Sequence, residues 1–88
     1  MTLEDDFKAA AEKIRTLTKK PSNEDLLKLY GLFKQATEGD VNTKRPGMMD
    51  MKGKYKWDQW KAAEGKTKDE AMTEYIAEVE RQMVVYAA

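Results

Sequence analysis

The stretch Ser22–Gly39, SNEDLLKLYGLFKQATEG, decides the fold. Ser22 follows Pro21 and suits an N-cap, Asp25 falls in a first turn where the helix dipole favours negative charge, and Gly39 offers a C-cap. These signals predict a helix over residues 23–38. At roughly 100° per residue, Leu32, Leu29, Ala36, Phe33, Leu26, Tyr30, Lys34 and Leu27 fill an arc of about 220°. A helix that packs on one core needs about half that width. One edge of the stripe therefore faces the core, and the other lines a second apolar surface such as a ligand site. Lys34 lies inside the arc, where it either snorkels to water or meets an anion.

Outward from this helix, punctuation divides the chain into four helical segments. Upstream, Leu3, Phe7, Ala10, Ile14 and Leu17 recur at spacings of 4, 3, 4 and 3. This first helix is expected to end near Thr18, before Lys19, Lys20 and Pro21. Downstream, residues 39–51, GDVNTKRPGMMDM, have no sustained period and read as a long structured loop. Connections of this length permit a crossover between helices that are not neighbours. Met48, Met49 and Met51 are expected to plug the end of the core. Asp50 suits the N-cap of a third helix through KGKYKWDQWKAAE, residues 52–64, which Gly65 closes. There Trp57 and Trp60 share a face beside a basic strip of Lys52 and Lys56. The capping box Thr67-x-x-Glu70 opens a fourth helix to about Tyr86, with Ala71, Met72, Tyr75, Ile76, Val79 and Met83 on one face. Glu74, Glu78 and Arg81 read as its solvated side. The expected architecture is all-α, a four-helix bundle forming a single domain over residues 1–88.

Composition narrows the chemistry. The 88 residues hold 16 Lys+Arg and 16 Asp+Glu, with no His and no Cys. Zinc fingers, disulfide scaffolds, thiol nucleophiles and imidazole bases are excluded, and Ser22 is the single serine. No catalytic residue, metal site or cofactor is expected. The neutral total averages unlike regions: seven basic and eight acidic residues in 1–40, eight and three in 41–68, and one and five in 69–88. A local basic excess suits one compact anion better than a long polyanion, and the acidic final helix argues against nucleic acid. No run reaches the roughly 18 apolar residues of a membrane span, and the N-terminus is acidic where a signal peptide is basic. A soluble, intracellular (cytoplasmic) protein is expected, and the lack of a spare apolar helix face points to a monomer.

The sharpest local feature is the interleaving of Lys with Tyr and Trp in KGKYKWDQWK, residues 52–61. Lysines that contact phosphate and aromatics that stack on a base would recognise a nucleotide-like anion. Tryptophans at helical spacing also serve as core, which is the simpler reading for Trp57 and Trp60. The carboxylates Glu4, Asp5 and Asp6 fall in a first helical turn, where the dipole accounts for them.

Tyr30-x-x-Phe33-Lys34-Gln35-Ala36-Thr37-x-Gly39-Asp40-x-Asn42-x-x-Arg45-Pro46-Gly47, followed by Lys56-Trp57-Asp58-x-Trp60, closely resembles the signature of the acyl-CoA-binding proteins. The resemblance extends over almost the whole chain and includes the spacing between segments. It implies an up-down-down-up bundle that binds long-chain fatty acyl-CoA without turning it over. Residue by residue, it implies that Tyr30, Lys34 and Lys56 hold the 3′-phosphate of the CoA ribose. Arg15, with Ala11 beside it at the edge of the first helix's stripe, matches a position near the adenine and phosphates. Phe33 stands where the family commonly has a Tyr that stacks on adenine, and Tyr75 matches a contact to the nucleotide end. Leu26 and Leu27 match positions bordering the acyl channel, and Gly31 and Leu32 complete the implied ligand-contacting stretch. The implied activity is binding, buffering and intracellular transport of medium- to long-chain acyl-CoA. The alternative is a helical protein–protein interaction module that uses the same aromatic and basic face.

Overall fold

The computed structural model describes residues 1–87. Its helices are α1 (Leu3–Lys13), α2 (Asn23–Glu38), α3 (Met51–Ala62) and α4 (Lys68–Tyr86), with a 3-10 turn at Ile14–Thr16. Each start is capped by the residue whose chemistry suits it. Thr2 and Asp5 form a capping box on α1, Thr67 and Glu70 another on α4, and the Ser22 hydroxyl accepts the Asp25 N–H at 3.2 Å on α2. Asp50 accepts the Gly53 N–H at 2.9 Å on α3. Helix α1 gives up its α form earlier than its periodicity predicts. The Thr16 hydroxyl donates to the Lys13 carbonyl at 2.7 Å, the Leu17 N–H turns instead to Ile14, and Leu17 becomes extended. A side-chain hydroxyl has taken the carbonyl that the next helical turn required.

Contacts fix the topology. Helix α2 packs on both α3 and α4, and α1 packs on α4, so the spatial order is α3–α2–α4–α1. Phe7 meets Tyr75 and Lys13 meets Glu80, hence α1 and α4 run parallel. Asp25 meets Arg81 whereas Phe33 meets Tyr75, hence α2 and α4 are antiparallel. Tyr30 meets Lys56 and Lys34 meets Trp60, so α2 and α3 are parallel. The result is up-down-down-up. Its core joins Phe7 and Ala10 of α1, Leu29 and Ala36 of α2, and Ala71, Met72, Tyr75 and Val79 of α4.

Parallel neighbours need a long return, and residues 39–50 supply it along α3. The Trp60 indole donates to the Gly39 carbonyl at 2.8 Å, the Trp57 indole donates to Thr43 at 2.9 Å, and Arg45 grips Asp58 with two bonds of 2.8 and 2.9 Å. Asp40 accepts from Gln35 and from the Gly65 N–H, both at 2.9 Å, tying the C-terminal end of α3 to the end of α2. Because the loop is held along α3, its methionines do not plug the core. Met48 is 83% exposed, Met49 fully exposed and Met51 48% exposed. Of the residues read as the solvated side, Arg81 is exposed as expected, but Glu78 is half-buried in a side-chain network. Arg81 bridges Glu78 to Asp25 of α2, Gln82 donates to the Asp25 carbonyl at 3.0 Å, and the Tyr86 hydroxyl donates to the Asp25 carboxylate. Helix α4 is contacted on two sides, so the edge of its apolar stripe becomes a polar lock on α2.

These contacts make stability acid-sensitive. The Tyr86 hydroxyl, the Gly65 N–H, Arg45, the Thr67 N–H and Arg81 are the leading causes that hold Asp25, Asp40, Asp58, Glu70 and Glu78, respectively, below their ordinary values. Folded values lower than the unfolded 3.8 (Asp) and 4.5 (Glu) mean a contribution fully present above those values and lost as pH falls through the lower, folded ones. With no imidazole to titrate between about pH 5 and 8, the thermal midpoint should stay nearly flat there and fall on acidification below the ordinary carboxyl values. A midpoint that rises on acidification would contradict these assignments.

Gly31 is the closest point between α2 and α3. A Cβ at Gly31 would lie 2.5 Å from the Gln59 carbonyl oxygen and 2.7 Å from its carbon. Gly31→Ala gains about 1 kcal/mol in helix propensity but forces two backbones apart, at a cost of about 1–3 kcal/mol. Net destabilisation is expected as a lower urea midpoint. An unchanged midpoint would mean that the two helices separate freely.

Candidate functional site

The parallel packing of α2 and α3 opens a cleft of about 370 Å³ at the N-terminal ends of both helices. Asn23, Leu26, Leu27 and Tyr30 form one wall, and Met51, Lys52, Tyr55 and Lys56 the other. The residues 26/27 and 30 of α2 lie one turn apart, as do 51/52 and 55/56 of α3, so each wall is one helical face. Toward the C-terminal ends, two cation–aromatic rungs cross between the helices. The Lys56 ammonium sits 5.4 Å from the centre of the Tyr30 ring, and Lys34 sits 4.7 Å from that of Trp60. Lys34 also pairs with Glu38 on its own helix. Among the described residues, Lys52 and Lys56 form no ion pair and the Tyr30 hydroxyl has no hydrogen-bond partner.

One turn further along α2, an aromatic cluster continues the surface. Phe33 stacks on Phe7 with ring centres 5.5 Å apart and lies 6.0 Å from Tyr75, which meets Phe7 edge-on at 5.0 Å. Phe33 is 39% exposed, which leaves ring surface open to an incoming group. Tyr75 is buried, and that burial raises its hydroxyl above the ordinary value, while the nearby Arg15 charge acts in the opposite direction. Arg15 is exposed on the 3-10 turn after α1, and its charge is felt at Tyr75.

Leu26, Leu27, Tyr30 and Lys56 thus share the cleft, Lys34 lies on the next rung, and exposed Phe33 and Arg15 lie near buried Tyr75. Three expected positions lie elsewhere. Ala11 is half-buried against the core, Gly31 faces the Gln59 backbone, and Leu32 lines a shallow groove of about 200 Å³ with Lys28, Gln59, Ala62 and Ala63. Asn23, Met51, Lys52 and Tyr55 line the cleft without having been read as site residues. Their signal was the spacing of Met51 and Lys52 from Tyr55 and Lys56, which puts all four on one face. Much of the remaining motif holds structure: Gln35, Gly39, Asp40, Arg45, Trp57, Asp58 and Trp60 fasten the crossover loop.

The described residues include no cluster of acidic side chains able to hold a metal ion and no helix long and apolar enough to cross a membrane. Residues 4–79 match the family described as Acyl CoA binding protein. An acyl-CoA-binding protein of Gossypium hirsutum is 59% identical, over 92% of this chain and 91% of that one. Another, from Brassica napus, is 57% identical over 100% of this chain and 96% of its own length. Among solved structures, Oryza sativa acyl-CoA-binding protein 2 superimposes with a TM-score of 0.92 at 52% identity, covering 98% of this chain and 94% of that one. The acyl-CoA-binding protein of Moniliophthora perniciosa gives a TM-score of 0.88 at 39% identity, covering 100% and 86%.

Proposed function

Because the chain belongs to the acyl-CoA-binding protein family, we propose that it binds medium- to long-chain fatty acyl-CoA in the cleft between α2 and α3. The observation that carries this reading is the join of an apolar wall, Leu26 and Leu27, to unpaired lysines and open aromatic rings on the same helix faces. Such a surface suits an amphipathic anion with a long tail.

In this reading Lys56 and the Tyr30 hydroxyl meet the 3′-phosphate of the ribose. Lys34 joins them by exchanging Glu38 for the phosphate, a movement within its own side chain. Ammonium groups serve as compact charges there, and the apolar cleft strengthens each contact. Adenine stacks on the exposed face of Phe33; the ring suffices for stacking, so the absent hydroxyl costs at most a hydrogen bond. Arg15 and Tyr75 border the nucleotide, and Ala11, Gly31 and Leu32 act through helix packing around it. Leu26, Leu27, Met51 and Tyr55 cover the acyl chain, each buried methylene contributing about 0.8 kcal/mol.

The proposed role is non-catalytic buffering and transport of acyl-CoA by a cytoplasmic monomer, with residues 1–88 acting as one acyl-CoA-binding domain. The single serine is committed to capping α2, and neither His nor Cys is present to attack a thioester. Nucleic acid is not a partner in this reading, since the acidic α4 would repel a polyanion. The helical interaction module has no comparable support.

Titration calorimetry with palmitoyl-CoA, free CoA and palmitate tests the proposal. Palmitoyl-CoA should bind far more tightly than either fragment, because only it satisfies both the tail and the phosphate. Lys34→Ala and Lys56→Ala should each weaken it about ten- to a hundredfold, the loss of one charge-assisted contact, and matter little for the 3′-dephospho ligand. No preference for palmitoyl-CoA over both fragments would overturn the function. Equal losses with and without the 3′-phosphate would overturn the lysine roles.

A further inference from the structure

Helix α2 ends on an ion pair that its own stability does not require. Lys34 pairs with Glu38, the last residue of the helix. A carboxylate there meets the negative end of the helix dipole, and a lysine placed one turn before a glutamate is the weaker of the two possible orders. Other acids sit where they hold the fold. Asp5 and Glu70 close capping boxes, Asp25 takes Arg81 and Tyr86, and Asp40 and Asp58 fasten the crossover loop. Glu38, among the described residues, has no side-chain partner except Lys34.

The lysine it holds is one of the two assigned to the phosphate. The Lys34 ammonium lies 4.7 Å from the centre of the Trp60 ring, and its side chain is 25% exposed against 45% for Glu38. Trp60 is itself fixed, because its indole N–H is committed to the Gly39 carbonyl at 2.8 Å. The ammonium therefore rests between a ring that cannot move and a carboxylate that can swing out into solvent. Lys56 faces the Tyr30 ring at 5.4 Å and, among the described residues, carries no carboxylate. One phosphate-facing charge is free and the other is already occupied.

We infer that Glu38 is a releasable latch on Lys34, which tempers the hold on the phosphorylated nucleotide and speeds its release. The inference rests on the proposed function, because the ligand's phosphate is the group that competes with Glu38. A phosphate monoester carries a charge of roughly −1.5 to −2 at neutral pH and outcompetes a single carboxylate for the ammonium, so the exchange goes forward. What is gained is the phosphate contact less the carboxylate contact given up, and the displaced Glu38 leaves a negative charge near the bound phosphate. Both effects weaken ligands that carry the phosphate and spare those that lack it. On dissociation the carboxylate returns to Lys34, so the half-buried ammonium is not left without a counter-ion and the phosphate departs faster than from a bare lysine. That behaviour suits a carrier, which has to give up its ligand as well as take it.

Titration calorimetry and stopped-flow kinetics test it on Glu38→Gln, Lys34→Ala and the double variant, each with palmitoyl-CoA and with its 3′-dephospho analogue. Glu38→Gln should bind palmitoyl-CoA about three- to tenfold more tightly, with most of the gain in a slower dissociation rate. Its affinity for the 3′-dephospho analogue should stay within about twofold of the parent. Gln keeps the length and helix propensity of Glu, so a gain confined to the phosphorylated ligand does not come from the helix itself. In the Lys34→Ala background the same substitution should lose most of its effect, because the latch then has no ammonium to hold. No gain in Glu38→Gln, an equal gain for both ligands, or a gain of full size without Lys34 would overturn the latch. A phosphate-specific loss in Lys34→Ala would leave the lysine role standing in each of those cases. If Lys34→Ala loses nothing specific to the phosphate, the lysine role falls and the latch with it.

Discussion

Helices α2 and α3 run side by side in the same direction, and at Gly31 they come so close that no side chain fits between them. Parallel helices cannot be joined by a short turn, so this contact obliges the chain to return the full length of α3 before that helix starts. The rest of the arrangement answers to that requirement. Two indole N–H groups and one arginine hold the returning loop, and Asp40 ties the ends of α2 and α3 into one hydrogen-bonded corner. With its C-terminal half held so tightly, the pair can diverge at its N-terminal end and leave a cleft there. Lys56 of α3 then falls opposite Tyr30 of α2, and one turn on Lys34 of α2 falls opposite Trp60 of α3.

This division of labour separates residues that hold the scaffold from residues offered to solvent. For Trp57 and Trp60, packing is a simpler reading than stacking on a base. Their ring nitrogens agree with it, since each is spent on a loop carbonyl. Phe33 is the opposite case: it stacks on Phe7 and keeps 39% of its surface exposed, which suits contact with a planar group. A locked α2–α4 seam at Asp25, Arg81, Gln82 and Tyr86 keeps the far side of α2 rigid, so that the site-bearing face can stay exposed.

How far the sequence could be read depended on whether the signal was local. The limits of α2 and the start of α4 follow from Ser22, Gly39 and the Thr67/Glu70 box, and each cap is present as expected. The excess width of the α2 stripe also carried its meaning, because the arc from Leu27 to Leu32 meets two different surroundings, cleft and core. What periodicity could not supply was the course of an irregular loop. Counting apolar residues in GMMDM suggested a plug, whereas hydrogen bonds from α3 to distant carbonyls direct that segment outward. A wheel drawn for α4 alone likewise left Glu78 in solvent and Arg81 without a partner, because it contains nothing of the Asp25 on α2. Met51 and Tyr55 went unread as site residues for a related reason: α3 has little amphipathic contrast, and only the neighbouring helix decides which of its faces becomes a wall.

The central claim is that one continuous face, running from Leu26 through Tyr30 and Phe33 and answered by Lys52, Tyr55 and Lys56, receives the ligand. It is tested most directly by amide chemical-shift mapping on the labelled protein titrated with palmitoyl-CoA. The account predicts large shifts at Leu26, Leu27, Tyr30, Phe33, Lys34, Met51, Tyr55, Lys56 and Tyr75, with little change at Ala62, Ala63 and Lys66 in the groove on the opposite side of α2. Shifts concentrated at Lys28, Leu32, Gln59 and Ala63, with the α2–α3 cleft unperturbed, would contradict it.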